Sequence, residues 1–198
     1  ASLNLDKAGP ATSGMALTPN PTNGSVNLAL SATGNDSASG NSSVVAAEYF
    51  VDSVGANGAG LAMNLNRTAP IVSLTAAIPA TTVGAWTDGT HTLYVHSRDA
   101  LGNWGATASI VLNLDKTGPA TSNVVAAPNP NNGATGYNSN TPAVRVTATF
   151  ADAVSKVSAG EGFIGTVGAN GAGFPFIATD GFFNAGTENA YVNIPLTT

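Results

Sequence analysis

Cysteine is absent from this chain, and charged residues occupy only 9% of its 198 positions. The lack of cysteine excludes disulfides and thiolate metal sites, so small folded units need another stabilising device. Soluble domains usually carry charge on about a quarter of their residues. Solubility here must therefore come from Ser, Thr, Asn and Gly, a composition that suits an extracellular location.

Basic residues are especially scarce, with six Lys and Arg against 11 Asp and Glu and a net charge of −5. Without a basic patch to neutralise phosphates, nucleic-acid partners are excluded. No apolar run reaches the roughly 18 residues of a membrane-spanning helix. Hydrophobic residues nevertheless make up 43% of the chain, which is enough for a packed core and argues against disorder.

Four segments of the chain recur later in the same order, which indicates a duplicated domain. The repeated pairs are LNLDKAGPAT at 3–12 with LNLDKTGPAT at 112–121, PNPTNG at 19–24 with PNPNNG at 128–133, VGANGAG at 54–60 with 167–173, and IPATT at 78–82 with IPLTT at 194–198. The spacing of roughly 110 residues is too long for a solenoid repeat and matches the size of a β-sandwich.

Apolar and polar residues alternate with the period of a half-buried β-strand. In the first copy the alternation and the turn residues predict seven strands, A to G, at 11–18, 25–33, 44–52, 61–65, 71–78, 91–98 and 106–114. The 23 Gly and 11 Pro argue against long helices. We therefore predict an all-β protein, with each glycine-rich VGANGAG segment forming the hairpin turn after strand C.

Four stretches resemble bacterial immunoglobulin-like domains, which are related in shape to fibronectin type III modules. These stretches are the LDKAGP and LDKTGP linkers, AEYFVD at 47–52 and DGTHTLYVHSRDALGNWG at 88–105. The resemblance implies two tandem immunoglobulin-like β-sandwich domains from a large bacterial cell-surface or secreted protein. Members of the family often have Tyr at the position of His91, so an imidazole is expected to replace the tyrosine-corner hydrogen bond.

The repeat also predicts domain boundaries. Residues 1–10 read as the end of a preceding G strand plus linker, 11–114 as domain 1, and 115–198 as an incomplete domain 2 that lacks strands F and G. Two explanations stay open at this point. The chain is a fragment of a longer array, or a strand from a neighbouring chain completes the second sandwich, as in donor-strand assembly.

Carboxylates recur at positions where an immunoglobulin-like sandwich gathers its loops at one end. The linker, the loop after strand B and the loop after strand F meet there, so oxygen ligands converge as Ca²⁺ requires. The predicted interdomain calcium ligands are Asp6, Asp36, Asp99 and Asn103 at the first junction, and their repeat equivalents Asp115 and Asp152 at the second, where the site is incomplete without the loop after strand F. The alternative is that these side chains cap turns by accepting hydrogen bonds from nearby backbone N–H groups.

No catalytic constellation is present, so the chain is not predicted to be an enzyme. There is no Gly-x-Ser-x-Gly elbow, and no His–Asp partnership is indicated. We predict that His91 points inward and His96 outward, and that Glu48 is a solvated strand residue. Trp86 and Trp104 lie in loops, where packing is the commoner role and stacking on sugar rings the alternative.

These observations predict a structural spacer, stalk or filament-forming repeat of a bacterial extracellular surface protein or adhesin. The alternative is an accessory, carbohydrate-binding module of a secreted multidomain enzyme. The expected partners are neighbouring immunoglobulin-like domains of the same protein and other copies in a filament, with glycans or a host or cell surface as further candidates. Calcium is the one cofactor predicted.

Overall fold

The computed structural model describes residues 5–138 and 142–196, and it is all-β, as the sequence predicts. The chain divides into two compact units, Ala1–Lys116 (unit 1) and Thr117–Thr198 (unit 2). The one helix in the described ranges is four residues long. Among the residues described, no helix is both long enough and apolar enough to span a membrane.

Unit 1 contains two four-stranded antiparallel sheets. One has the order β1-β2-β6-β5 and the other the order β4-β3-β7-β8. In chain order the elements are β1 (Ala11–Thr18), β2 (Leu28–Asn35), β3 (Val44–Val51), β4 (Leu61–Ala62), β5 (Asn64–Leu65), β6 (Ile71–Ile78), α1 (Ala80–Val83), β7 (Gly89–Asp99) and β8 (Ala108–Leu114). Strands β2 and β6 are not consecutive in the chain, but they pair directly and antiparallel, from Leu28 with Ile78 to Asn35 with Ile71.

The core of unit 1 lies between its two sheets. On β6 every second residue is buried, as a strand with one covered face requires. The first sheet supplies Leu28, Leu30, Val72, Leu74 and Ile78, and the second supplies Val44, Leu93, Val95, Leu112 and Leu114, all of them at most 2% exposed. Burial of one such side chain contributes about 1.5–3 kcal/mol, so the two facing sheets stabilise each other as a β-sandwich.

The predicted strand bounds agree with most of the observed ones in unit 1, but the single strand D predicted at 61–65 is wrong, because the chain there forms β4 in one sheet and β5 in the other. Strands β1 and β6 have the predicted limits, whereas β2 starts three residues later and β7 is longer at both ends than predicted. The short helix α1 was not predicted. It follows Pro79 directly and places Val83 in the core with no exposed surface.

Unit 2 repeats the first sheet of unit 1. Its elements are β9 (Ala120–Ala127), β10 (Ala143–Ala151), β11 (Glu161–Gly162), β12 (Phe174–Pro175), β13 (Ile177–Ala178) and β14 (Thr187–Pro195). The order β9-β10-β14-β13 corresponds strand for strand to β1-β2-β6-β5, and β11 pairs with β12. Counterparts of β7 and β8 are not among the strands described for unit 2. The core of this unit consists of Ala148, Phe150, Val157, Phe176, Ala190 and Val192.

A glutamate holds the glycine-rich loop in each unit. In unit 1 the carboxylate of Glu48 accepts hydrogen bonds from the backbone N–H groups of Gly58 (2.8 Å) and Gly60 (2.7 Å). In unit 2 Glu161 does the same with Gly171 (3.0 Å) and Gly173 (2.8 Å). The loop connects β3 with β4 and, in the second copy, β11 with β12, so the predicted hairpin turn is confirmed.

The segment that precedes β1 is docked tightly on the end of the sandwich through two glycines. A Cβ atom on Gly9 would lie 2.2 Å from the carbonyl carbon of Trp104, and one on Gly105 would lie 1.8 Å from the carbonyl oxygen of Pro10. At Gly118, the repeat equivalent of Gly9, a Cβ atom would meet nothing within 4 Å. The same linker sequence is therefore closely packed at Gly9 and unconstrained at Gly118.

This difference gives a matched pair of substitutions. Gly9→Ala forces an overlap with the backbone of Trp104 and is expected to lower the free energy of unfolding of unit 1 by about 1–3 kcal/mol. Both tryptophans of the chain, Trp86 and Trp104, lie in unit 1, so their fluorescence during urea denaturation reports on that unit. Gly118→Ala is the control, followed by circular dichroism, and it should leave stability unchanged. Equal midpoints for the two variants would contradict the docking.

Candidate metal centre

Three aspartates meet at one end of unit 1. Asp6 precedes β1, Asp36 follows β2 directly, and Asp99 is the last residue of β7. Each offers a carboxylate oxygen, and these three atoms all lie within 4.8 Å of one another. Asp36 and Asp99 are buried, with 0% and 1% of their surface exposed, and Asp6 is half-buried. The sandwich topology explains this meeting, because the three chain segments enter or leave its sheets at the same end.

Asp36 organises the loop between β2 and β3. Its Oδ1 accepts a hydrogen bond from the Ser39 hydroxyl at 3.0 Å, and its Oδ2 accepts one from the Ser42 backbone N–H at 2.6 Å. The Asp36 carbonyl also accepts the backbone N–H groups of Ser39 and Asn41. The carboxylate is therefore fixed in position by its own loop.

Asp99 is held in the same way by the loop between β7 and β8. Its Oδ1 accepts the backbone N–H groups of Leu101 (2.9 Å) and Asn103 (2.8 Å), and its Oδ2 accepts the Asn103 side-chain amide at 2.8 Å. Burial raises the pKa of Asp99, but the hydrogen bonds from Asn103, Leu101 and Gly102 outweigh it, and the net pKa is lowered. The group is thus a carboxylate at neutral pH despite its burial.

Asp6 completes the cluster from the linker segment. Its Oδ2 accepts the Ser42 hydroxyl at 2.5 Å, and its Oδ1 accepts the backbone N–H of Ala8 at 3.2 Å. A Cβ atom on Gly40 would lie 2.0 Å from the Asp6 Cγ, and Gly40 has a φ of +152° that strongly favours glycine. The Asp6 carboxylate therefore occupies space that only a glycine leaves open.

The arrangement suits a hard divalent cation. Ca²⁺ takes six to eight oxygen ligands at about 2.3–2.6 Å, with carboxylates and water among them. Like charges at this separation repel each other, and burial strengthens the repulsion because it weakens the screening by water. A cation bound by Asp6, Asp36 and Asp99 would offset this repulsion. The Asn103 amide also reaches the Asp6 carbonyl oxygen, at 3.4 Å, and so links the linker to the Asp99 loop.

The two ligands predicted for the second junction, Asp115 and Asp152, are not part of this cluster. Asp115 follows the end of β8, where its backbone N–H donates to the Thr22 carbonyl at 2.8 Å. Asp152 follows β10 in unit 2, and its Oδ1 accepts the backbone N–H groups of Val154 (2.9 Å) and Ser155 (2.7 Å). These bonds lower the pKa of Asp152. The acidic cluster found in the described residues includes neither side chain, and Asp152 acts as a turn cap.

His91 and Asp52 form an ion pair at the other end of β7. Nδ1 of His91 lies 2.7 Å from Oδ2 of Asp52, and Nε2 lies 2.8 Å from the carbonyl oxygen of Thr87. Both partners only accept, so the ring satisfies both bonds when it is doubly protonated. Burial lowers the pKa of His91, but the Thr87 carbonyl and Asp52 outweigh it, and the net pKa is raised. His91 points inward as predicted, and both of its nitrogens are engaged.

His96 is buried, so its predicted outward, surface position is wrong. Its Nε2 lies 2.6 Å from Oε1 of Glu48, its ring stacks on Trp104 at 4.5 Å, and Phe50 meets it edge-on at 5.7 Å. Glu48 is buried as well, with 3% of its surface exposed, so its predicted solvated position is also wrong. Burial raises the pKa of Glu48, whereas hydrogen bonds from Gly58, His96 and Gly60 lower it and prevail.

Sequence reasoning missed both histidine–carboxylate pairs. Glu48 and His96 are register partners on the adjacent strands β3 and β7, so strand pairing was the available signal. What hides them from solvent is the returning glycine loop and Trp104, which the alternation of the strands does not reveal. Both tryptophan rings are also engaged internally, Trp86 with His91 at 5.3 Å and Trp104 between His96 and Arg98.

Comparison with known proteins gives no relative for this chain. No protein-family model matches it, and neither a curated protein nor a solved structure does so. The function of the acidic cluster is therefore inferred from its own geometry and from the internal repeat.

The His91 pair predicts a pH dependence for unit 1. Since the pKa of His91 is raised above 6.5 in the folded state, its stabilising contribution is complete below pH 6.5 and is lost as the pH rises through the folded pKa. Urea denaturation followed by tryptophan fluorescence should show the free energy of unfolding falling as the pH rises above 6.5 through the folded pKa. In His91→Gln the fall should be smaller. An identical pH profile in both proteins would count against a charged His91.

Proposed function

We propose that this chain is a structural repeat segment of a bacterial extracellular surface protein or adhesin, serving as a spacer, stalk or filament-forming element. The observation that carries the proposal is the recurrence of one strand framework, since β9-β10-β14-β13 repeats β1-β2-β6-β5. Tandem copies of one module increase length without adding a new site. The glutamate-held loop also recurs with the same spacing, which supports the duplication.

The modules are proposed to be immunoglobulin-like. In that fold a sheet with strands A, B, E and D packs on one with strands C, F and G. The two sheets of unit 1 have the orders β1-β2-β6-β5 and β4-β3-β7-β8. Taking β1 as strand A and β8 as strand G, these correspond to A-B-E-D and C′-C-F-G. This agreement supports the resemblance inferred from the linkers and from residues 88–105.

An extracellular location is proposed from the composition. Ca²⁺ is abundant outside cells, and modules there bind it with dissociation constants of about 10⁻⁴–10⁻³ M. With no cysteine for disulfides, a cation at Asp6, Asp36 and Asp99 would connect the linker to two loops. In this proposal calcium serves as the structural staple of unit 1.

The alternative function, an accessory carbohydrate-binding module of a secreted enzyme, is less well supported by the contacts. A sugar platform needs an exposed aromatic face. Trp86 and Trp104 are half-buried, and each stacks against a histidine. Measurable glycan binding that is lost in Trp86→Ala or Trp104→Ala, with the fold retained, would favour this alternative.

The spacer proposal has its own test in the gene that encodes the chain. The complete reading frame is expected to contain further copies of the Leu-Asp-Lys-x-Gly-Pro linker at intervals of roughly 110 residues, the size of one sandwich. A reading frame that instead contains a catalytic domain elsewhere, without further copies of the linker, would support the accessory module.

Calcium binding is tested by thermal unfolding of the 198-residue protein, followed by tryptophan fluorescence. Added Ca²⁺ is expected to raise the unfolding midpoint of unit 1 relative to a chelator, because a ligand at 100 times its dissociation constant stabilises by about 2.7 kcal/mol. Asp99→Asn should abolish the calcium-dependent rise, whereas the turn cap variant Asp152→Asn should retain it. An unchanged midpoint in the parent protein would exclude the metal.

A further inference from the structure

Strands β10 and β14 of unit 2 turn three pairs of side chains away from the core. The register pairs are Arg145 with Asn193, Thr147 with Tyr191, and Thr149 with Asn189. Successive side chains of a strand point to opposite faces, and the intervening residues, such as Phe150 and Val192, belong to the core. We call the surface formed by these three pairs the outer face of unit 2. A second sheet packed as in unit 1 would cover the opposite, core side and leave the outer face open.

The same positions in unit 1 carry small side chains. Strands β2 and β6 pair in the equivalent register, which places Ala29 with Ala77, Ser31 with Thr75, and Thr33 with Ser73. Because the shared framework forms with these small residues, the fold does not require Arg145, Tyr191 or Asn193 in unit 2. The two repeats therefore differ in what their outer faces offer to a ligand.

A longer connection adds a second tyrosine to the outer face of unit 2. Ten residues lie between the PNPNNG segment and Val144, whereas three lie between PNPTNG and the equivalent Leu28. The longer connection contains Tyr137, whose backbone N–H donates to the Ala143 carbonyl at 2.8 Å. This bond places the Tyr137 ring over the guanidinium group of Arg145.

Arg145 is held between two aromatic rings. Its Cζ lies 4.2 Å from the ring centroid of Tyr137 and 4.3 Å from that of Tyr191. Its Nε donates to Oδ1 of Asn193 at 2.9 Å. Stacking and a hydrogen bond together fix the planar guanidinium group in one orientation. A group fixed before binding loses little conformational entropy when a ligand arrives.

The charge of Arg145 has no anionic partner in the described ranges, 5–138 and 142–196. No carboxylate there forms an ion pair with it, although acidic residues outnumber basic ones by 11 to six in the chain. Its one hydrogen bond to a described residue uses Nε, which leaves the four N–H groups of the two terminal nitrogens as donors. Tyr137 beside it is 42% exposed. The outer face thus combines an accessible cation with an accessible aromatic ring.

These groups favour an acidic sugar over a peptide. An arginine fork binds a carboxylate through two parallel hydrogen bonds. A peptide that adds to a sheet needs an unpaired strand edge, but β10 and β14 are the two inner strands in the order β13-β14-β10-β9. The ligand must therefore be recognised by side chains alone. A guanidinium group, an amide and a tyrosine ring match the carboxylate, the hydroxyl groups and the C–H face of a sugar acid.

We propose that the outer face of unit 2 binds a sugar acid, that is, a saccharide unit that carries a carboxylate. The terminal nitrogens of Arg145 bind the carboxylate, the amide nitrogen of Asn193 donates to a hydroxyl group, and the Tyr137 ring packs against the sugar. The inference goes beyond the proposed function, because a spacer needs no ligand. It uses neither tryptophan of unit 1.

Nuclear magnetic resonance titration of the ¹⁵N-labelled 198-residue protein tests the site. The probes are D-glucuronate and D-glucose, which share one ring and differ in having a carboxylate or a hydroxymethyl group. Glucuronate is expected to cause saturable shifts of the backbone amide signals of Arg145, Tyr191 and Asn193, whereas glucose should cause none. A third probe, N-acetylglutamate amide, carries its carboxylate on a peptide unit and should bind several-fold more weakly. A chelator in the buffer removes any contribution from Ca²⁺.

Three variants separate the site from general charge effects. At the glucuronate concentration that half-saturates the parent protein, Arg145→Gln should reduce the bound fraction from one half to about a tenth, since loss of a charged hydrogen-bond pair weakens binding roughly tenfold. Asn193→Asp keeps the acceptor for Arg145, and with it the stack, but repels the ligand carboxylate and should reduce binding as strongly. Lys156→Gln, which changes the net charge as Arg145→Gln does, should bind like the parent.

Three results would overturn the proposal. Equal shifts with glucose would show that the carboxylate is not recognised, and equal affinity for N-acetylglutamate amide would indicate an acidic peptide instead of a sugar. An equal loss of binding in Lys156→Gln would reduce the effect to net charge. Each of these results leaves the structural-repeat proposal in place, because that proposal depends on the duplicated strand framework and not on the outer face of unit 2.

Discussion

Buried carboxylates that accept backbone hydrogen bonds hold the loops of this protein in place. Glu48 fixes the glycine-rich loop, Asp36 fixes the loop after β2, and Asp99 fixes the loop after β7. In unit 2 Glu161 and Glu188 repeat the device, the latter through the N–H groups of Asn184 and Ala185. A charged acceptor forms stronger hydrogen bonds than a neutral one and is costly to bury without them. In a chain with few charges and no cysteine, the acidic residues therefore specify loop structure.

The features predicted correctly from the sequence are those that depend on local pattern. The limits of β6 follow from its alternation, because one face of the strand meets a core and the other meets solvent. The meeting of Asp6, Asp36 and Asp99 followed from topology, since the segments that carry them converge at one end of a sandwich. Neither prediction required knowledge of the side-chain contacts between distant segments.

The features that were missed depend on contacts between distant segments. Glu48 and His96 occupy the face of their sheet that usually meets water, and the sequence gives no sign that the glycine loop and Trp104 cover it. Asp152 occupies the same place in its repeat as Asp36, yet it caps a turn. The difference arises because a ligand set needs all of its segments, and unit 2 has no described counterpart of the Asp99 loop. Equivalent positions in the two repeats therefore share their backbone geometry more reliably than the chemical role of their side chains.

A cation at the acidic cluster would act on the linker as well as on the loops. Asp6 lies in the segment before β1, whereas Asp36 and Asp99 belong to the ends of β2 and β7, so one shared cation would join three chain segments. The Asn103 amide already connects two of these segments, because it donates to the Asp6 carbonyl oxygen and to the Asp99 carboxylate. A bound cation would therefore strengthen a link that the hydrogen bonds of the cysteine-free chain have already formed, and it would need to order few further groups.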